Sequence, residues 1–257
     1  METEPNKILS FDSLRIGYGS GKHETMLLTP LSASAVDGEL IAVIGRNGIG
    51  KSTLLRTITG LQKPLGGEIF FEDRNITEYS RMELALKVSY ISTEVVKASN
   101  MNVYDLVGLG RFPHTNWIGK IEEKDNDAII DALEKTSMLS FRNRFISELS
   151  DGERQKAMIA RILAQDTGIM IMDEPTAFLD VAGRYEIFHL MNLLSANSGK
   201  TVIFSTHDLQ MAMGYADKIW LIGSNGLVEG APEDLMIMGA FDHLFDDGLD
   251  NSFFGLV

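Results

Sequence analysis

The stretch Gly45 to Thr53 reads GRNGIGKST and limits the choice of fold more than any other part of the chain. An apolar run, Leu40 to Ile44, precedes it, and a run of helical character, Ser52 to Leu61, follows it. The pattern G-x-x-x-x-G-K-[ST] between a strand and a helix closes backbone N–H groups around phosphate oxygens. In such a loop Lys51 reaches the outer phosphates, the Ser52 hydroxyl ligates Mg²⁺, and the helix adds its positive end. The motif therefore predicts a nucleotide-binding loop.

Strand-like and helical segments alternate through the second half of the chain. Apolar runs from Gly168 to Met172, Thr201 to Ser205 and Lys218 to Ile222 predict buried strands. Helical patterns, from Tyr185 to Leu194 and from Leu209 to Tyr215, separate them. Strands that alternate with helices favour an α/β fold with a mostly parallel sheet. Asn225-Gly226 predicts a hairpin turn after the last of these strands.

The first residues and the middle of the chain follow other patterns. Lys7 to Phe11 and Leu14 to Tyr18 are strand-like, and Asp12-Ser13 between them predicts a tight hairpin. From about Asn102 to Ala164, apolar residues recur at helical spacing. We therefore expect one domain, 1–257, whose P-loop α/β core (1–93 and 165–257) carries an N-terminal antiparallel β subdomain and a helical insert (94–164).

Composition narrows the function classes. The 257 residues include no cysteine, which excludes disulfides, thiolate metal sites and thiol nucleophiles. The net charge of −13 and a pI near 4.8 argue against nucleic acid as a partner held through bulk charge. No apolar run approaches the ~18 residues of a membrane helix, and the acidic N-terminus lacks the apolar core of a signal peptide. The expected location is the cytoplasm.

An apolar run that ends in two acids supplies candidate metal-binding and catalytic groups. The sequence GIMIMDE, residues 168 to 174, ends a predicted strand at Asp173 and Glu174. Carboxylates at the C-terminal edge of a parallel sheet lie where open α/β folds bind ligands. Asp173 suits Mg²⁺, and Glu174 suits the orientation or deprotonation of an attacking water. A plain strand end of the same composition is the alternative interpretation.

Three other candidates also have structural alternatives. The sequence LSDGE, residues 149 to 153, opens a predicted helix, where Ser150 and Glu153 can form a capping box and the helix start can also hold an anion. His207 follows the predicted strand Thr201 to Ser205, where it could contact a γ-phosphate or play a purely structural part. Tyr18 could stack on an adenine ring or be an ordinary edge-strand tyrosine.

The order and approximate spacing of these motifs resemble those of ATP-binding-cassette (ABC) ATPases over essentially the whole chain. GRNGIGKST, LSDGE, IMIMDEP, Phe178-Leu179-Asp180 and Ser205-Thr206-His207-Asp208 carry the resemblance. It implies ATP and Mg²⁺ as cofactors and the following roles: Asp173 and Ser52 as metal ligands, Glu174 as catalytic base, His207 as switch histidine and Lys51 as a catalytic cation. The residues that it implies for contact with ATP are Tyr18, Gly45, Arg46, Asn47, Gly48, Ile49, Gly50, Lys51, Ser52, Thr53, Ser150, Gly152 and Asp180.

The sequence departs from the family pattern in two segments. The usual LSGGQ is LSDGE here, so Asp151 and Glu153 replace a glycine and a glutamine. The usual glutamine after the Tyr90-Ile91 strand is replaced by Thr93, with Glu94 next. Glu94 is a hard oxygen ligand, and we expect it to reach Mg²⁺ if the loop shifts by one residue; a solvated loop acid is the alternative interpretation. Both departures bear on the rate of hydrolysis more than on nucleotide binding.

The chain contains one GRNGIGKST segment, the Walker A motif of the family, and one LSDGE segment. In the family each ATP lies between the Walker A motif of one subunit and the LSDGE-type motif of the other, so one chain supplies half of each site. The resemblance therefore implies a head-to-tail homodimer with ATP between the two subunits. It also implies a separate integral-membrane permease, which holds the chain at the inner face of the cell membrane and docks near Asn102 to Trp117. Within the family, the chain is similar to the ATPase subunits of bacterial ferric-siderophore, haem and cobalamin importers. The segments that carry this similarity are Gly110 to His114, His207 to Leu209 and Tyr215 to Asp217.

Two other functions stay open on sequence alone. A soluble ATPase similar to those of iron–sulfur cluster assembly would use ATP-driven dimerisation to remodel a protein partner. A nucleotide-dependent binding module that scarcely hydrolyses ATP would fit the departures at Thr93 and Asp151. A neighbouring permease gene separates the importer from both, and a steady-state ATPase assay on the assembled complex tests the binding module.

Overall fold

The computed structural model describes residues 7–19, 23–92, 100–115, 121–177, 179–223 and 225–242. Within these ranges the strands are β1 (Lys7–Arg15), β2 (Gly17–Tyr18), β3 (Thr25–Met26), β4 (Leu31–Val36), β5 (Leu40–Gly45), β6 (Gly66–Phe71), β7 (Arg74–Asn75), β8 (Val88–Ile91), β9 (Ile169–Met172), β10 (Thr201–Ser205), β11 (Lys218–Gly223) and β12 (Gly226–Gly230). The α-helices are α1 (Lys51–Ile58), α2 (Arg81–Lys87), α3 (Val103–Gly108), α4 (Glu123–Lys135), α5 (Asp151–Ala164), α6 (Val181–Ser198), α7 (Leu209–Tyr215) and α8 (Pro232–Ile237).

The central sheet has the strand order β12-β11-β5-β10-β9-β8. All neighbours in it are parallel except β11 and β12, which form the hairpin that Asn225-Gly226 predicts. Parallel strands covered on both faces need apolar side chains on both faces, which explains why their sequences are continuous apolar runs. The C-terminal ends of β5, β9 and β10 lie side by side at one edge, where such sheets place their ligands.

Alternate side chains of β5 serve two different cores. Leu40, Ala42 and Ile44 belong to a hydrophobic cluster that includes residues of α3, α4, α5 and α6. Ile41 and Val43 face the opposite side and belong to a cluster shared with α1 and the N-terminal strands. The sheet is thus the middle layer of the molecule, and the expected α/β class with an antiparallel part and added helices is confirmed.

The N-terminal strands differ from the sequence prediction. The hairpin predicted at Asp12-Ser13 is wrong, because β1 runs unbroken between β4 and β6 in the antiparallel sheet β4-β1-β6-β7. Ser13 has a φ of 48°, and the register of the pairing with β4 shifts between Phe11 and Leu14. The two turn-favouring residues therefore make a bulge and not a reversal, since hydrogen bonds to strands on both sides keep β1 extended.

A buried ion pair joins the helices between β8 and β9. The Arg111 guanidinium, 6% exposed, donates to Asp125 Oδ1 of α4 at 3.0 Å and to the Ala164 carbonyl at the end of α5 at 2.8 Å. Asp125 Oδ2 accepts from the Glu122 N–H at 3.1 Å, so the hydrogen bonds that a buried pair needs are present on both sides of it. Among the described residues, no helix combines the length and the apolar character that a bilayer span requires.

Candidate active site

The loop between β5 and α1 has a backbone that only glycine adopts without strain. Gly48 and Gly50 have φ values of 80° and 115°, in the left-handed region. At Gly45 a Cβ would come within 2.8 Å of the Ile222 carbonyl oxygen, so this position allows no side chain. No side chain caps α1 and no acid lies in its first turn. The loop 45–53 therefore presents the positive end of a helix, with the uncapped N–H groups of its first turn, to an anion.

Lys51, the first residue of α1, turns back on this loop. Its Nζ donates to the carbonyls of Gly45, at 2.8 Å, and Arg46, at 3.3 Å, and the residue is 6% exposed. Burial lowers the pKa of the Lys51 ammonium, while the charges of Glu174 and Asp173 act in the opposite direction. The cation thus lies close to both carboxylates that follow β9.

Asp173 is held by three elements at the edge of the sheet. Its backbone N–H donates to the Ile91 carbonyl at 2.9 Å, and its Oδ1 accepts from the Ser205 hydroxyl at 2.7 Å. The residue is 1% exposed, and its second oxygen, Oδ2, is buried with no hydrogen-bond partner among the described residues. A buried carboxylate oxygen without a partner is costly, so the site is built for a group that it does not itself contain.

Glu174 and His207 form a pair beside Asp173. The Nδ1 atom of His207 lies 2.8 Å from Glu174 Oε2, and the Glu174 backbone N–H donates to Ser205 Oγ at 2.8 Å. Glu174 has a φ of 51°, which is uncommon for a residue with a side chain and clusters at functional sites. The ends of β9 and β10 thus bring Asp173, Glu174 and His207 together, and Lys51 of α1 lies near the two carboxylates.

Ser205 is the residue of this cluster that the sequence interpretation did not assign a role. The available signal was a polar residue at the end of a buried apolar strand, two positions before His207. Tyr18, in the small sheet β2-β3, joins the loop from another side: its hydroxyl lies 2.9 Å from Thr53 Oγ1, while the residue is 56% exposed. An exposed ring anchored to the loop in this way is free to stack on a planar ligand.

The remaining candidates gather elsewhere. Ser150 is the N-cap of α5 and forms the predicted capping box with Glu153. Asp180 is the N-cap of α6 and accepts from the Gly183 N–H at 2.8 Å. Both line a cavity of about 500 Å³ together with Gly152, and none of residues 45–53 lines it.

Charged residues in the first turns of α5 pair with one another and with α6. Asp151 Oδ1 lies 2.7 Å from Arg154 Nη1, and Lys156 pairs with Glu186 of α6. The predicted metal ligand Glu94, together with Thr93, lies outside the described residues, and so do Phe178 and Trp117.

Comparisons with known proteins agree with this layout. The family model described as ABC transporter matches residues 28–177. The chain is 33% identical to the siderophore transport system ATP-binding protein YusV of Bacillus subtilis, over 92% of the chain and 85% of that protein. It is 31% identical to the ferric enterobactin transport ATP-binding protein FepC of Escherichia coli, over 95% of the chain and 89% of that protein. A solved metal-chelate type ABC transporter in an inward-facing conformation matches with a TM-score of 0.81 and 27% identity, over 93% of this chain and 89% of that one.

Proposed function

The chain belongs to the ABC transporter family of ATPases, and we propose that it powers the uptake of an iron chelate, such as a siderophore complex, through a separate permease. The observation that carries this proposal is the extent of the similarity to siderophore transport ATPases, which covers 92% and 95% of the chain in two cases. A similarity of this extent includes the helices between β8 and β9, and not only the nucleotide motifs that the whole family shares.

ATP binding is the first step of the proposed mechanism. The N–H groups of loop 45–53 take the phosphates, and the exposed Tyr18 ring stacks on the adenine. Lys51 then leaves the carbonyls of Gly45 and Arg46 and moves its charge to the outer phosphate oxygens. The free helix start and the positive-φ glycines support this assignment.

Hydrolysis follows from the pair beside Asp173. A water between Glu174 and the γ-phosphate attacks phosphorus, the bond to the β–γ bridging oxygen breaks, and ADP leaves. Glu174 takes the proton of that water as general base, and His207 holds the carboxylate in place. The distance of 2.8 Å between His207 Nδ1 and Glu174 Oε2 supports this division of roles.

The donor set fits Mg²⁺. Asp173 supplies a buried oxygen without a partner among the described residues, and Ser52 supplies a hydroxyl in the first turn of α1. Oxygen ligands of this kind suit Mg²⁺, which takes few protein ligands and completes its shell with phosphate and water. When bound, the ion neutralises charge on the β- and γ-phosphates.

A second copy of the chain completes the site in this proposal. Ser150, Gly152 and Asp180 line a cavity that shares no residue with loop 45–53, so they serve an ATP held by another subunit. ATP then joins two chains head to tail, and hydrolysis releases them. A single copy of each motif in the sequence supports the same arrangement.

The permease contact is proposed for the described part of the predicted docking segment, 102–115. Leu109 and Phe112 are 51% and 65% exposed there. Large apolar side chains that lie exposed near one another are typical of a surface that another protein covers.

Reconstitution tests the importer proposal. The chain is co-expressed with a candidate siderophore permease of the same organism, and the complex is placed in proteoliposomes with the corresponding binding protein loaded with a ferric siderophore. We expect ATP-dependent accumulation of iron and a stimulated ATPase rate, with the iron-free siderophore as control. A chain that hydrolyses ATP but neither binds the permease nor drives uptake would contradict the proposal and favour a soluble assembly ATPase.

A further inference from the structure

Ser205 is the last residue of β10, and its hydroxyl is buried. The residue is 0% exposed, and it follows four buried residues of the same strand. A hydroxyl in such a place destabilises the protein unless it is hydrogen-bonded. Its contacts are therefore a fixed part of the site and not an incidental surface arrangement.

The direction of both hydrogen bonds follows from the groups involved. The Glu174 backbone N–H can only donate, so Ser205 Oγ accepts from it at 2.8 Å. The single proton of the hydroxyl then goes to Asp173 Oδ1, a carboxylate oxygen 2.7 Å away. One side chain of β10 thus joins two consecutive residues that follow β9.

The first consequence concerns Asp173. Because Oδ1 is occupied by the Ser205 hydroxyl, the carboxylate cannot rotate freely, and Oδ2 is the oxygen left for a ligand. That oxygen is buried and has no hydrogen-bond partner among the described residues. On the other side, the hydrogen bond from the Asp173 N–H to the Ile91 carbonyl of β8 fixes the backbone of Asp173.

The second consequence concerns Glu174. Its φ of 51° lies in the left-handed region, and the hydrogen bond from its N–H to Ser205 helps to hold the backbone there. This backbone conformation sets the direction of the side chain that meets His207. Removal of the acceptor would therefore change Asp173 and Glu174 together.

We propose that Ser205 is a positioning residue that orients the metal-binding oxygen of Asp173 and the carboxylate of Glu174 with one hydroxyl. This inference rests on the Mg-ATP site of the proposed function, and it is independent of the permease and the cargo. Ser205 touches neither substrate nor metal in this proposal.

The test separates metal binding from turnover. The Glu174→Gln chain is used because it holds ATP without turnover. Mn²⁺ binding to its ATP complex is measured by electron paramagnetic resonance, with and without the additional substitution Ser205→Ala. We expect Ser205→Ala to weaken Mn²⁺ binding roughly tenfold, as expected for a lost hydrogen bond to a charged group, with ATP affinity in EDTA unchanged. In the chain with Glu174 intact, the Mg²⁺ concentration for half-maximal hydrolysis should rise in parallel. Ser205→Thr keeps the hydroxyl and should restore most of both.

Ser89→Ala is the matched control, because Ser89 is a buried serine, 1% exposed, in β8 of the same sheet, two strands from β10 and outside the site. It should leave both measurements unchanged. Wild-type Mn²⁺ and Mg²⁺ dependence in Ser205→Ala, or an equal loss in Ser89→Ala, would overturn the proposal. If Ser205→Ala does not fold, Ser205→Cys, a weaker donor, takes its place, and equal metal affinity in the Cys and Thr variants would overturn the proposal as well. If Ser205→Ala weakens metal binding as expected but the reconstituted complex does not transport iron, the importer proposal is contradicted and the role of Ser205 stands.

Discussion

The two places where the motif residues gather satisfy their polar groups in opposite ways. At the sheet edge, hydrogen bonds join residues far apart in the chain: Ser205 to Asp173, and His207 to Glu174. In the cavity lined by Ser150, Gly152 and Asp180 (the LSDGE cavity), several of them join residues only three apart: Ser150 to Glu153, Asp151 to Arg154, and Asp180 to Gly183. The pair of Lys156 and Glu186 is the exception there. Asp173 is 1% exposed, whereas the side chain of Asp151 is 64% exposed.

This difference indicates how each region works. The sheet edge is held by tertiary contacts on all sides, so its charges are in place before the substrate arrives. Ser150, Asp151 and Asp180 are held by the first turns of their own helices and can rearrange at little cost, which suits the proposed surface that binds and releases a second chain. Substitutions at the sheet edge should therefore change chemistry, and those in the LSDGE cavity should change association.

Glu174→Gln should have the largest effect, because the amide keeps the shape of the side chain but cannot accept the proton of the water. We expect phosphate release to fall by roughly 10²- to 10⁴-fold, with ATP binding retained. Steady-state phosphate release and equilibrium binding of ATP measure the two. Glu186→Gln, a carboxylate of the LSDGE cavity, is the control, and an equal loss of hydrolysis there would remove the contrast between the regions.

Lys51→Ala should come next and act on binding. The Lys51 ammonium is already buried against the carbonyls of Gly45 and Arg46, so a phosphate that binds there meets a positive charge that has already lost most of its water. Loss of such a charge-assisted contact should lower the affinity for ATP about ten- to a hundredfold, as measured by calorimetric titration. Lys63→Ala, which removes an exposed lysine, should bind ATP as the unchanged chain does. An unaltered affinity for Lys51→Ala would show that this cation does not reach the phosphates.

Asp151→Gly should have a smaller effect, on dimerisation. An unpaired carboxylate ~8 Å from a phosphate charge costs about 2 kcal/mol at an effective dielectric of ~20. Arg154 pairs with Asp151 at 2.7 Å, so we expect the ATP-bound dimer of the Glu174→Gln chain to tighten by only about threefold, and only at low salt. Sedimentation equilibrium measures this, and Arg154→Ala should shift the constant in the opposite direction. A large, salt-independent gain for Asp151→Gly would mean that the ion pair does not shield the carboxylate.

The smallest effect is a pH dependence of stability at Glu153. The Ser150 backbone N–H is the main cause that lowers the pKa of Glu153; partial burial opposes it, and the Ser150 hydroxyl with nearby Arg144 and Lys156 adds to it. Because the folded-state pKa is lowered, the stabilisation is present above the ordinary glutamate pKa and is lost as the pH falls through the folded-state value. Between pH 6 and pH 3 the melting temperature should therefore drop about 2 °C more than in Glu153→Gln, measured by circular dichroism. Identical drops would show that the capping carboxylate adds no stability.

Local sequence determined most of the elements and several of the contacts. The apolar runs predict β10 and the core of β5 and β11, helical spacing predicts α7 from Leu209 to Tyr215, and the serine–glutamate spacing predicts the capping box of α5. Each of these depends on residues close together in the chain, where strand and helix periodicity and capping chemistry act directly. Recognition of the family needed only the motifs and their order.

The tertiary structure alone decided the path of β1 and the construction of the site. Asp12-Ser13 is a turn signal that pairing with β4 and β6 overrides, and no local pattern contains that competition. The position of Ser205 between Asp173 and Glu174 depends on the parallel register of β9 and β10, which places Phe204 opposite Met172. The same register leaves one carboxylate oxygen of Asp173 buried and unpartnered among the described residues. Such contacts arise between strands about thirty residues apart, so only the folded sheet fixes them, because the register depends on how the apolar faces of both strands fit into the core together.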